Sequence, residues 1–150
     1  MKKSGIEIKK KIVNHLLTHG KKKTSENSLL QSFKELQKHS NKDSKKLAQL
    51  ALLLTLPVFK LHRIAQKKRK TKQVREIPAF ILKEKARVSL AIKFILASVK
   101  KKPTNKIYID LKQEILLNAQ NKGEAIKVKD ELQKQVLLKK RFFKYYRWHS

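Results

Sequence analysis

The residues best placed to do chemistry in this chain are cations. From Lys60 to Arg87 the sequence reads KLHRIAQKKRKTKQVREIPAFILKEKAR, where lysine and arginine crowd around two glutamates. Lys67, Lys68, Arg69, Lys70 and Lys72 fall close together and repel one another when free. A polyanion relieves that repulsion, and phosphates do so with release of bound counterions. The competing reading is a solvated, disordered loop, the common fate of a charge run. The tail, KKRFFKYYRWHS, sets Phe142, Phe143, Tyr145, Tyr146 and Trp148 among Lys140, Arg141, Lys144 and Arg147. Aromatics beside cations suit stacking on bases as well as packing in a ribonucleoprotein seam. Phe142 and Phe143 are read as completing the core; for Arg147 and Trp148 both readings stand.

Catalytic chemistry finds little support. Asp43, Asp110, Glu114 and Glu131 are scattered, and no Ser-His-Asp set or phosphate-cradling glycine loop exists. Three glycines and no cysteine leave little room for a cofactor loop and exclude disulfides and thiolate zinc sites. His15 and His19 are four apart, as metal ligands on a helix can be, but no third ligand is near. No metal, no cofactor and no enzymatic activity are expected, and an RNA-modifying enzyme is the rival from another class. The net charge of +28 over 150 residues costs a soluble enzyme self-repulsion and gives a nucleic-acid binder affinity and on-rate. A general basic nucleic-acid-binding protein, an RNA chaperone or a DNA-compacting protein therefore remains the alternative. The longest apolar run, Leu47 to Phe59, is too short and too polar to span a bilayer.

The elements that must hold these cations follow from periodicity. The chain is expected to be mainly α: about six helices in one bundle-like domain, with a basic β-hairpin projecting between the third and fourth. Apolar spacing predicts a first helix over Ile6–His19 with Gly20 as C-cap. Thr24 is expected to cap a second helix ending near His39. Asp43 or Ser44 caps a third, Lys45 to about Thr55, with Leu47, Leu50, Ala51 and Leu54 inward; Pro57 ends it. Residues 58–82 alternate as two arms around a polar connection, which reads as a hairpin. The connection lacks the Asn-Gly of a tight turn, so a longer tip is expected. Val88, Ala91, Ile92, Ile95 and Val99 make a fourth, well-buried helix, opposite a polar stripe of Lys85, Ser89 and Lys93. Ile107, Leu111, Ile115 and Ala119 make a fifth, with Gly123 as its C-cap. A sixth opens near Asp130, with Leu132, Val136 and either Leu138 or another apolar position beside Lys139 inward. Residues 1–11 form a basic arm and 140–150 the aromatic tail.

Four stretches resemble a known family. VNHLLTHGKKKTSE (Val13 to Glu26), Ile77-Pro78, LAIKFIL (Leu90 to Leu96), and NKGEAIKVKDE with YRW (Asn121 to Glu131, Tyr146 to Trp148) are similar in order and spacing to the bacterial-type small-subunit ribosomal protein seven family. The resemblance covers nearly the whole chain. It implies a structural protein that binds the 3′ major domain of small-subunit rRNA, nucleates head assembly and touches neighbouring head proteins, as a single copy rather than a homo-oligomer and away from any membrane. The family's rRNA contacts map to Lys9, Lys10 and Lys11, to Lys21, Lys22 and Lys23, and to Lys83, Lys85 and Arg87; Arg147 and Trp148 join the candidate rRNA contacts from the tail's own pattern. The family's hairpin, near exit-site tRNA and mRNA, maps to Arg63, Lys67, Lys68, Arg69, Lys70, Lys72 and Arg75. The family's Gly-Gly turn is replaced here by a longer lysine-rich segment, so the tip contacts are expected to differ. The chain also stops at Ser150, where bacterial members usually continue, and a contact made by that extra tail is expected to be lost or supplied by another chain. Lysine outnumbers arginine 33 to 6, as an AT-rich coding genome would favour. With no hydrophobic leader and a shortened tail, this points to a mitochondrial ribosome, with a plastid or bacterial cytoplasm as alternatives.

Overall fold

The structure is a computed structural model, and it describes residues 2–40, 43–67, 72–102 and 106–145, with side chains over 8–40, 43–63, 76–102 and 106–142. The described residues form helices α1 (Lys2–Leu16), α2 (Lys22–His39) and α3 (Ser44–Thr55), then strands β1 (Phe59–Lys67) and β2 (Lys72–Phe80). Helices α4 (Glu84–Lys101), α5 (Ile107–Ala119) and α6 (Glu124–Leu138) follow, closed by the short 3₁₀ helix η1 (Lys140–Tyr145). The expected order of helices and hairpin is the observed one.

Helices α1 to α5 share one core, which α6 joins through Ala125. Leu29, Leu36, Ile92 and Leu111 are almost wholly removed from solvent, each worth roughly 1.5–3 kcal/mol of transfer free energy. Helix α4 presents Ala91, Ile92, Ile95, Leu96 and Val99 to that core, as its apolar face requires. Two inward assignments fail. Leu50 is 45% and Leu138 83% exposed. On α3, Ala48 and Leu52 take the buried arc beside Leu47 and Ala51.

The caps differ from the sequence reading in three places. Helix α1 stops at Leu16 rather than His19, because His19 (φ 51°) and Gly20 (φ 73°) both turn left-handed, a conformation that ends a right-handed helix. Thr24 does not cap α2. The helix already starts at Lys22, and the Thr24 hydroxyl donates 2.8 Å to the Lys21 carbonyl, as hydroxyls inside a first turn do. Gly123 does not end α5. Asn121 does, at φ 61°: the Lys122 amide donates 2.8 Å to the Leu117 carbonyl and the Asn121 amide 3.1 Å to that of Asn118. This is a Schellman closure with asparagine in the left-handed position. Gly123 is instead the N-cap of α6, which begins at Glu124, well before Asp130. Asp43 caps α3 as expected, accepting from the Lys45 amide at 3.3 Å.

Gly123 offers no capping side chain, and α5 supplies one. A Glu114 carboxylate oxygen accepts the Ala125 amide at 3.1 Å and the Asn118 side-chain amide at 3.4 Å; the other oxygen takes the Lys102 ammonium at 3.2 Å. The Glu114 side chain is fully buried, and Asp110, one turn earlier on the same face, nearly so.

The strands pair antiparallel, Phe59 opposite Phe80 and Lys67 opposite Lys72. The register sets Phe59, Leu61 and Arg63 on one face against Phe80, Pro78 and Glu76, the alternation that the sequence predicts. The Phe59 and Phe80 rings meet at 4.7 Å, tilted by 39°, and fix the hairpin's base. Beyond the base, β1 runs beside α6 and β2 beside η1.

Candidate nucleic-acid interface

The parallel contact between α1 and α4 builds the candidate surface. The Lys11 ammonium donates 3.0 Å to the Lys85 carbonyl, and one turn further along both helices the His15 Nε2 lies 2.7 Å from the Ser89 hydroxyl. The four-residue spacing on each helix matches, so Ser89 of the polar stripe faces α1 while Lys85 and Lys93 stay exposed. Lys9, Lys10, Lys83 and Lys85 are exposed. Two sequence-distant groups, Lys9–Lys11 and Lys83–Lys85, therefore come together. Glu84 adds an acid to the first turn of α4, which suits the helix dipole.

Lys21, Lys22 and Lys23 are exposed where α1 gives way to α2. Lys22 approaches Glu26 at 3.9 Å, a surface pair of little energetic weight. Arg87 serves the fold as well as the surface. Its Nε donates 3.1 Å to the Pro57 carbonyl, pinning the start of α4 to the chain that leads into β1. The hairpin thus springs from the end of α4 where Lys11 and Lys85 meet. Arg63 is exposed and its Nε donates 3.0 Å to a Glu76 oxygen across the strands. Lys67, Lys72 and Arg75 belong to the paired strands. Lys68, Arg69 and Lys70, like Arg147 and Trp148, lie outside the described residues. In the tail, the Arg141 guanidinium sits 4.9 Å from the half-buried Phe142 ring, a cation–π pair.

No group of three or more His, Asp or Glu able to hold a metal occurs among the described residues, and none of their helices is long and apolar enough to cross a membrane. His15 belongs to the α1–α4 contact. Its pKa lies below the ordinary 6.5, first because burial disfavours the imidazolium, then because Lys93 and Lys11 repel it. The unfolded chain therefore binds this proton more tightly than the folded chain. Stability from this site is complete above pH 6.5 and falls as pH drops from there through the lowered folded value. Urea midpoints between about pH 7.5 and pH 5 should decline more steeply in the parent than in His15→Gln; equal slopes would remove His15 as the cause.

The Glu114 network escaped the sequence reading, which took Asp110 and Glu114 as scattered acids. The signal it carried was two carboxylates at i and i+4 flanking Leu111 and Ile115, on a face otherwise destined for the core.

Known proteins align with this architecture. The profile of the family described as Ribosomal protein S7p/S5e matches residues 2–140. The chain is 29% identical over 138 residues to the small ribosomal subunit protein uS7 of Pseudothermotoga lettingae, covering 92% of this chain and 85% of the relative. It is 28% identical over 142 residues to that of Wigglesworthia glossinidia brevipalpis, covering 95% and 87%. It is 29% identical over 132 residues to small ribosomal subunit protein uS7c of Euglena gracilis, covering 88% and 81%.

Proposed function

This chain belongs to the ribosomal protein S7p/S5e family, whose members are structural rather than enzymatic, and from that premise we propose that it binds the 3′ major domain of small-subunit rRNA and nucleates assembly of the subunit head. The observation that carries the reading is the α1–α4 contact, which gathers Lys9–Lys11 with Lys83 and Lys85 beside the hairpin's base. Lysines on a rigid pair of helices supply affinity through phosphates. Selectivity comes from the shape of a folded RNA junction, because the deep major groove of A-form RNA hides its base edges. Lys21–Lys23 extend the phosphate contacts, and Arg147 with Trp148 contribute from the tail. The hairpin carries Arg63, Lys67, Lys68, Arg69, Lys70, Lys72 and Arg75 toward exit-site tRNA and mRNA. One copy acts per subunit, against neighbouring head proteins. The lysine bias supports a mitochondrial ribosome as the setting.

The test is to purify the chain natively from its source and sequence the RNA that accompanies it. Small-subunit rRNA enriched in its 3′ major domain after nuclease trimming is the expected result. Genomic DNA or a scatter of unrelated RNAs would replace this reading with that of a general basic binder. A second expectation concerns the tip. Changing Lys67, Lys68, Arg69 and Lys70 together to Gln should flatten the salt dependence of RNA affinity by about 0.9 in log–log slope per lost duplex-like contact. An unchanged slope would show that the tip does not meet this RNA.

A further inference from the structure

The hairpin's arms and the segment beside them are both cationic. On the described part of the hairpin Lys60 and Arg63 are basic; Lys139, Lys140 and Arg141 follow α6. Yet β2 lies beside η1 and β1 beside α6. Two segments of one sign do not settle together without a counter-charge. Glu76, the only acid from Phe59 to Phe80, stands where one is needed. One of its oxygens accepts from Arg63 Nε across the strands at 3.0 Å, and the other accepts from the Lys139 ammonium. We propose that Glu76 is a positioning residue, a latch that fixes the direction of the hairpin relative to the helical body by binding Arg63 of β1 and Lys139 at the end of α6 at once.

The other polar and aromatic contacts of the hairpin lie nearer its base. The Phe59–Phe80 ring pair, the Ile81 amide on the Val58 carbonyl at 3.0 Å and Arg87 on Pro57 all act at the base. They hold the hinge end; further out, buried Pro78 and Ala79 of β2 and the packing of β1 on α6 and β2 on η1 limit the swing, and Glu76 ties the arms to the body beyond Pro78. Glu76 pairs with Arg63, four residues along β1 from Phe59, and each residue adds about 3.3 Å of strand. That distance gives it leverage over the tip. The Lys139 and Arg63 hydrogen bonds hold the Glu76 carboxyl below its usual range, so it is ionised for both partners. Its consequence for RNA rests on the function proposed above: the latch decides where the cationic tip falls once the body has docked.

The geometric claim is tested without RNA. The chain has no cysteine, so Gln73→Cys on β2 and Gln113→Cys on α5 give one spin-label pair for distance measurement in the full chain. The distance distribution should be narrow in this background, broader with Glu76→Gln, equally broad with Lys139→Gln, and no broader with both. Circular dichroism accompanies each variant, and Lys139→Gln leaves the hairpin's own sequence intact. A distribution as narrow in both variants as in the parent overturns the latch, as does broadening with Glu76→Gln alone. For the consequence, hydroxyl-radical footprints on small-subunit 3′-domain RNA should fade at hairpin-dependent sites in Glu76→Gln and persist at body-dependent sites.

Discussion

Glu114→Ala is expected to lower folding stability by about 3–5 kcal/mol, the cost of breaking a buried ion pair from one side. The carboxylate is fully buried and serves three donors from three parts of the chain: Lys102 after α4, Asn118 within α5 and the Ala125 amide opening α6. Its removal leaves the Lys102 ammonium, only 26% exposed, facing a void. It also returns the first turn of α6 to the uncapped state that Gly123 cannot remedy. Urea unfolding should show a lower midpoint at nearly constant slope. Glu114→Gln separates charge from shape, since the amide keeps the volume and one acceptor while losing the attraction for Lys102. It should fall between the parent and the alanine variant. An unchanged midpoint in Glu114→Ala would mean that α6 docks without this cap.

Gly123→Ala should cost about 1–3 kcal/mol, the range for forcing extra atoms into a filled interior. A Cβ at this position would lie 1.8 Å from the Asn118 side-chain oxygen, 2.5 Å from its Cγ and 3.0 Å from its backbone nitrogen. Asn118 is fully buried and its amide is committed to Glu114, so it has nowhere to retreat. The glycine is needed for close approach rather than for an unusual backbone angle, since its φ of −75° suits any residue. In an Asn118→Ala background the same glycine substitution should cost less, and that coupling is the check. Equal costs in both backgrounds would show that the clash lies elsewhere.

Much of the fold was legible from periodicity. Ile92, Ile95 and Val99 announce the buried face of α4, and the alternation from Phe59 to Arg63 and from Glu76 to Phe80 gives the hairpin its faces. What was misread concerns ends and partners. Gly123 looked like a helix stop because glycine is common there, but Asn121 already closes α5, and glycine was required by the nearness of Asn118. Leu50 and Leu138 fit a helical apolar pattern on their own helices, yet the described neighbours leave both exposed. A pattern reports which arc is apolar, not how much of it another element reaches. The candidate surface was legible as charge and illegible as geometry. Nothing in the order of residues says that Lys11 meets Lys85, or that Arg87 commits its Nε to Pro57.

The α1–α4 contact joins residues 74 positions apart. The lysine face therefore exists only after most of the chain has been made and packed. A misfolded chain keeps every positive charge and so keeps its attraction for any nucleic acid, because that attraction ignores arrangement. What it lacks is the spacing that distinguishes one folded RNA from another. On the proposed function, recognition would thus be a proofreading of the chain's own tertiary structure: only a correctly closed bundle would turn general stickiness into a preference.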